Sequence, residues 1–265
     1  MRIDFVRDVL NRLLRRGVLT KDHSILAVCA GDAERSVFSE LGFRHVLLSN
    51  LDERMTPDAF PPFRWEYQDV HALTYADGSF DFTFVADGLH HCDSPHRALL
   101  EMYRVSRRGI VVVESRDSLL MRLSNRLGLS PNYELEAVVG NECKFGGVNN
   151  TPIPNYIYRW TERDFEKTLS SYAPQVRHTF LYFYGLNLPF SQAVMRRNPL
   201  KYMTLLISQP LLYLFTKVAR RQCNTFAMIA LRPALPEGLW PWLKLDKDRV
   251  VIDEPYVRAR FKTPS

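Results

Sequence analysis

Two adjacent histidines, His90 and His91, follow the apolar run Phe80–Ala86, and an imidazole near neutral pH can take a proton from a hydroxyl. One member of such a pair is often structural, bonded to backbone, and of the two His91 is the stronger candidate base. Carboxylates stand where other apolar runs end. Asp87 follows Phe80–Ala86 and Glu114 closes Gly109–Glu114, so either can orient an acceptor or serve as a helix cap or loop acid. The turn Cys29-Ala30-Gly31 consists of small residues whose backbone N–H groups a ligand can approach closely. Asp52, about 20 residues later, can accept hydrogen bonds from sugar hydroxyls. His71 reads as a packing residue. The four cysteines, 29, 92, 143 and 223, form no CxxC pair and no ligand spacing with the histidines, so no metal site and no disulfide framework are expected.

The elements that position these residues are legible in the hydrophobic pattern. Ser24–Ala30, His45–Ser49, Phe63–Tyr67, Phe80–Ala86 and Gly109–Glu114 read as strands. Helices fall between them at Ala33–Leu41, closed by Gly42, and from Pro95 to about Ser106. Strands alternating with helices predict a parallel sheet, and right-handed crossovers make it doubly wound, with its crevice at the carboxyl ends of the strands. Thr161–Ala173 is predicted as a helix capped by Thr161 with Asp164. Arg177–Tyr184 and Thr225–Leu231 are further strands. Residues 118–160, rich in Gly, Asn and Pro, read as a long functional lid. With 185–224 they are expected to form two cap segments over the crevice. The aromatic residues Tyr156, Tyr158 and Trp160 are candidates for an acceptor pocket, whereas Tyr182 and Tyr184 read as strand packing. Residues 1–20 form an N-terminal helix, 21–117 the ligand-binding half, and 233–265 a tail.

With 265 residues, 46% of them hydrophobic, the chain suffices for one domain with a large core, and no repeat or low-complexity tract suggests a fibre or solenoid. The N-terminus lacks the uninterrupted apolar stretch of a signal peptide, so a cytoplasmic protein is expected. Net charge is +6, but no acidic residue occurs between Glu166 and Glu237, a window that holds nine Lys or Arg. The rest of the chain, with 26 cations and 29 acids, is net negative. Such an excess calls for an anionic partner. Within it, Tyr202–Thr216 carries no charge and is flanked by Arg196, Arg197, Lys201, Lys217, Arg220 and Arg221. Pro210 is expected to divide it into two short helices, either packed on the sheet or lying at an anionic membrane surface.

In order and content these motifs resemble the class I S-adenosylmethionine-dependent methyltransferases of the small-molecule type, the type 11 methyltransferase domain. The stretch ILAVCAGDA stands at the family's glycine loop, with Cys29, Gly31 and Ala33 where three glycines are usual and Ala27 where an acid is usual. DGSFDFTFVADGLHHCDSPHRALLEMYRVSRRGIVVVE is the most extensive match, and together the motifs span residues 25–114. The resemblance implies an α/β, doubly wound, Rossmann-like seven-stranded sheet, mostly parallel with an antiparallel last strand. It implies S-adenosylmethionine as cofactor. Cys29, Ala30, Gly31, Leu51, Asp52, Asp69, Val70 and Asp87 would line its site, Asp52 on the ribose and Asp69 on the adenine amino group, with His91 or His90 as base. The expected acceptor is a small molecule or a lipid- or phosphate-linked compound, methylated at oxygen, with no nucleic acid as partner. Nicotinamide-dependent oxidoreductases share the strand, turn, helix and ribose acid but need a glycine fingerprint this chain lacks. A noncatalytic relative of the same fold is the other reading that the sequence leaves open.

Overall fold

A computed structural model describes residues 3–128, 130–187 and 199–261. Seven strands form one sheet: β1 (Ser24–Ala27), β2 (His45–Asn50), β3 (Arg64–Tyr67), β4 (Phe80–Ala86), β5 (Ser106–Ser115), β6 (Thr179–Gly185) and β7 (Thr225–Leu231). Their order is β3-β2-β1-β4-β5-β7-β6. The first five strands are parallel, and β7 runs antiparallel to both β5 and β6. β6 therefore points the same way as β5. This is the mostly parallel, doubly wound sheet that alternating strands and helices imply.

Alternation along the strands divides the core between the two faces. Ile25, Ala27, Phe82, Phe84, Val111 and Val113 face α1 (Ile3–Arg15) and α2 (Asp32–Glu40), which bury Val6, Val9, Leu10, Leu13, Val37 and Phe38 there. Leu26, Val28, Val85, Ile110 and Val112 face α3 (Pro95–Val105) and α6 (Glu162–Tyr172), joined by Leu99, Met102, Phe165 and Leu169. Every residue of β7 except its last is buried, as a strand flanked on both sides must be. The cap of α6 is as read from sequence: Thr161 accepts from the Asp164 N–H and Asp164 reaches back to the Thr161 N–H.

Three expectations are corrected. The lid at 118–160 is not mere loop but holds α4 (Leu119–Arg126), α5 (Leu135–Gly140) and a short turn at Val148–Asn150. Pro210 does not split its segment: α7 (Pro199–Val218) is one helix with the proline inside. On an exposed helix, the carbonyl that loses its partner to proline is open to water, so the cost is one bond rather than the helix. Finally, the tail forms a hairpin, β8 (Leu243–Asp246) with β9 (Arg249–Ile252), followed by α8 (Glu254–Phe261). Its two-residue turn, Lys247 and Asp248, is left-handed at both positions without the glycine that usually signals such a turn. Arg196 and Arg197 lie outside the described residues.

Candidate active site

The register Ala27↔Leu48 and Ala27↔Phe84 brings the residues that follow β1, β2 and β4 to one edge of the sheet. They surround a cavity of about 350 Å³, within the size range of small-ligand sites. Of the residues singled out in the sequence, Cys29, Leu51, Asp52, Val70, Asp87 and His91 line it. Ala30, Gly31, Asp69 and His90 do not.

The reasons are local. At the end of β1, Cys29 takes the left-handed conformation (φ 51°) that a glycine would adopt freely, at a cost of roughly 1 kcal/mol. Ala30 is buried behind it, its N–H donating to the Ser49 carbonyl and its own carbonyl accepting from Asn50 Nδ2 at 2.7 Å. Gly31 caps α2, and its N–H donates to Glu34 Oε2 at 2.8 Å. Burial pushes the Glu34 carboxyl above its ordinary pKa. A Cβ at Gly31 would meet nothing within 4 Å, so this position keeps open space beside the turn. At this end of the sheet the packing requires a glycine at Gly88, where a Cβ would stand 2.6 Å from that of Cys29. Its signal in the sequence is simply a glycine directly after the fourth strand and Asp87.

Asp52 presents its carboxylate at the end of β2. Arg54 holds both oxygens at 2.7 Å, a hydrogen-bonded pair that keeps the Asp52 carboxyl below its ordinary pKa. The same guanidinium lies 4.3 Å from the ring centroid of Phe145 in the lid. Asp69 instead accepts from the N–H and the Nδ1 of His71, two residues on, at 2.9 and 2.7 Å. That turn directs it away from the cavity, and Gln68 and Val70 form the wall. His71 is buried, with its two ring nitrogens facing Asp69 and Asp93.

The histidines part company. His90 is buried, with Nδ1 2.7 Å from Glu114 and Nε2 3.2 Å from Glu134. Burial opposes its charge, but the two carboxylates outweigh it and raise the imidazole to about 10. Glu114, itself fully buried, also accepts the Leu89 N–H at 2.7 Å. His90 and Glu114 therefore position the turn that carries His91 and do not face an acceptor. His91 reaches the cavity, and burial followed by the neighbouring His90 charge holds it below its ordinary pKa, so it is neutral at pH 7. Its Nε2 is 3.4 Å from Glu134. The hydrogen bond from His90 holds Glu134 down to about 2.

Glu134 was missed in the sequence because it lies in the lid, 44 residues from His90. Donor atoms of His90, His91 and Glu134 fall within 4.8 Å of one another, a cluster that spacing along the chain does not reveal. Both nitrogens of His90 are engaged by carboxylates, and the cluster reads as an ion-paired clasp between lid and sheet. The lid is fastened further on: Asn149 pairs with Asp93, and Asn150 donates to the Leu51 carbonyl at 3.1 Å. Ala137, Asn141, Gly146, Gly147, Asn149 and Asn150 roof the cavity. Of the expected second cap segment, residues 185–187 and 199–224 do not line it, and 188–198 lie outside the described residues. Trp160 is buried in the core against Tyr158, and neither it nor Tyr156 lines the cavity. Tyr182 and Tyr184 pack on the sheet and donate to Glu166 and Glu162.

A strand-end carboxylate, a small-residue turn at Cys29 and an amide and valine wall suit a nucleoside-bearing cofactor. The sheet order is that of the class I S-adenosylmethionine-dependent methyltransferase fold. Residues 26–113 match the methyltransferase domain family, and that match together with the fold indicates an S-adenosylmethionine-dependent methyltransferase. No curated protein matches the chain. Among solved structures, the Haloferax volcanii partner of the Trm112 methyltransferase activator is similar over 88% of this chain and 93% of its own, at 12% identity and a TM-score of 0.52. A protein from Pyrococcus horikoshii is similar over 88% and 90%, also at 12% identity and TM-score 0.52. At these identities the likeness is one of fold.

Proposed function

We propose that this methyltransferase uses S-adenosylmethionine to methylate a hydroxyl of a small-molecule or lipid- or phosphate-linked acceptor. The observation that carries the reading is that His91 and Asp52 line the same cavity, with burial and the His90 charge favouring the neutral imidazole of His91. Asp52 would hold the ribose hydroxyls once Arg54 yields, Gln68 and Val70 would border the adenine, and the Cys29 turn and Asp87 would flank the remainder. When bound, the cofactor supplies an activated methyl group on a sulfonium, so the protein has chiefly to align the nucleophile and exclude water. His91 takes the acceptor's proton. The resulting imidazolium is stabilised by Glu134, and the lid that delivers Glu134 also closes the cavity. Tight binding of S-adenosylhomocysteine but not of NAD in calorimetry is the expected result. Asp52→Ala should weaken it by about 1.5–3 kcal/mol, the worth of a charge-assisted hydrogen bond. Unchanged affinity in that variant would remove the assignment of this cavity. A methyl-release assay against phenols, quinols, sugars and lipid-linked compounds would then identify the acceptor.

A further inference from the structure

The helix α7 inverts the rule for a surface helix. Its residues Leu200, Met203, Ile207, Leu211, Leu214 and Val218 recur at helical spacing and therefore share one side. That side is outward: Leu200 is 76%, Ile207 75%, Leu211 69% and Val218 79% exposed. Leu212 and Phe215, further round the helix, line a hollow together with Leu120 and Met121 of α4. α4 repeats the pattern, with no buried residue and with Leu119, Leu123 and the following Leu127 exposed. Contiguous exposed apolar surface rimmed by charge marks an interaction site.

Charge selects the partner. Lys217, Arg220 and Arg221 are exposed at the end of α7, Arg126 is exposed at the end of α4, and no acidic residue occurs from 167 to 236. No helix among the described residues is long and apolar enough to cross a membrane. A 20-residue helix with an apolar outer stripe and cations beside it instead suits lying in the plane of a bilayer surface. We propose that α7, with α4, docks this methyltransferase on anionic lipid bilayers. The stripe enters the acyl boundary and the cations meet headgroups, each contributing roughly fivefold in partitioning. β5 and β6 both deliver their following segments to the carboxyl edge of the sheet, the edge that also holds the His91 cavity. Docking would bring that edge to the membrane, where a lipid-linked acceptor is concentrated; this last step alone rests on the acceptor reading above.

Co-sedimentation of the full chain with phosphatidylglycerol/phosphatidylcholine vesicles tests the surface without any cofactor. Wild type should bind at low salt, and more weakly to pure phosphatidylcholine or at high salt. Ile207→Asp with Leu214→Asp should lower partitioning more than tenfold, and Arg220→Gln with Arg221→Gln at least fivefold. Both sites are exposed, so melting temperature and S-adenosylhomocysteine affinity should stay at wild-type values and certify the fold. Failure of wild type to sediment at low salt, or unchanged partitioning of the double Asp variant, overturns the proposal. So does a dimer in sedimentation velocity that the same Asp pair dissociates while vesicles bind neither form, since the stripe is then an interface between copies. Cofactor titration reads the methyltransferase site separately, so either reading can fail alone.

Discussion

The sheet with its cavity and the α4–α7 surface use the same kinds of apolar residue in opposite ways. In β1, β4 and β5 valine, isoleucine and phenylalanine alternate between two covered faces, and almost all are buried. In α7 leucine and isoleucine at regular helical spacing look outward. Composition cannot distinguish the two, because both read as apolar runs. What differs is the cover: helices on both faces in one case, and in the other no described element over the outer side. The lesson is that a hydrophobic stripe reports a surface that needs a partner, and only topology says whether the chain itself supplies it.

The largest effect should separate chemistry from scaffold within the cavity. His91→Ala is expected to reduce turnover 10²–10⁴-fold, equivalent to about 3–5 kcal/mol, while S-adenosylhomocysteine affinity stays within about twofold. Single-turnover kinetics measure the first and calorimetry the second. A loss under tenfold would make His91 a structural histidine like its neighbour.

Next comes the buried side of the comparison. Phe84 is 1% exposed and packs edge-on to Phe38, so Phe84→Ala should cost about 3–5 kcal/mol in denaturant unfolding. If its cost falls below about 1 kcal/mol, the core described for β1, β4 and α2 is not the one that holds the protein together.

The clasp between lid and sheet should show in the pH dependence of stability. His90 is raised to about 10 in the folded protein, so its contribution is complete below its unfolded value near 6.5 and is lost as pH rises through 10. Glu134, held at about 2, contributes above its ordinary value of 4.5 and loses that contribution as pH falls through 2. Melting temperature should therefore decline from pH 7 to pH 10, and His90→Gln should flatten the decline. A wild-type profile as flat as the variant's over that interval would show that the pair is not formed.

Smallest of all should be truncation of the outward stripe. Ile207→Ala removes three carbon atoms, as a core truncation does, yet should change stability in vesicle-free solution by no more than about 0.5 kcal/mol. A core-sized loss would mean that the outer side of α7 is covered, and the contrast between the two regions would vanish.

Local sequence determined a great deal. The period of the apolar residues placed β4 and β7 to the residue, because both strands are buried and bounded by turns, and Thr161 with Asp164 fixed the start of α6 by satisfying its own end groups. Cys29, Asp52, Asp87 and His91 were legible because parallel strands must end at one edge, and whatever follows them lines the crevice there, whereas Val70 was named only through the family resemblance. Tertiary structure decided the rest. Whether His90 or His91 faced the cavity depended on Glu114 and Glu134, two carboxylates brought from a neighbouring strand and from the lid to charge one imidazole and leave the other neutral. Asp69 was lost to a two-residue turn with His71, and Gly88 was required by the close approach of Cys29, a contact between strands far apart in the chain. The tail's hairpin turned on left-handed residues that carry no glycine to announce them. Pairings across long loops depend on which elements meet, and the period of a single element holds no information about its neighbours.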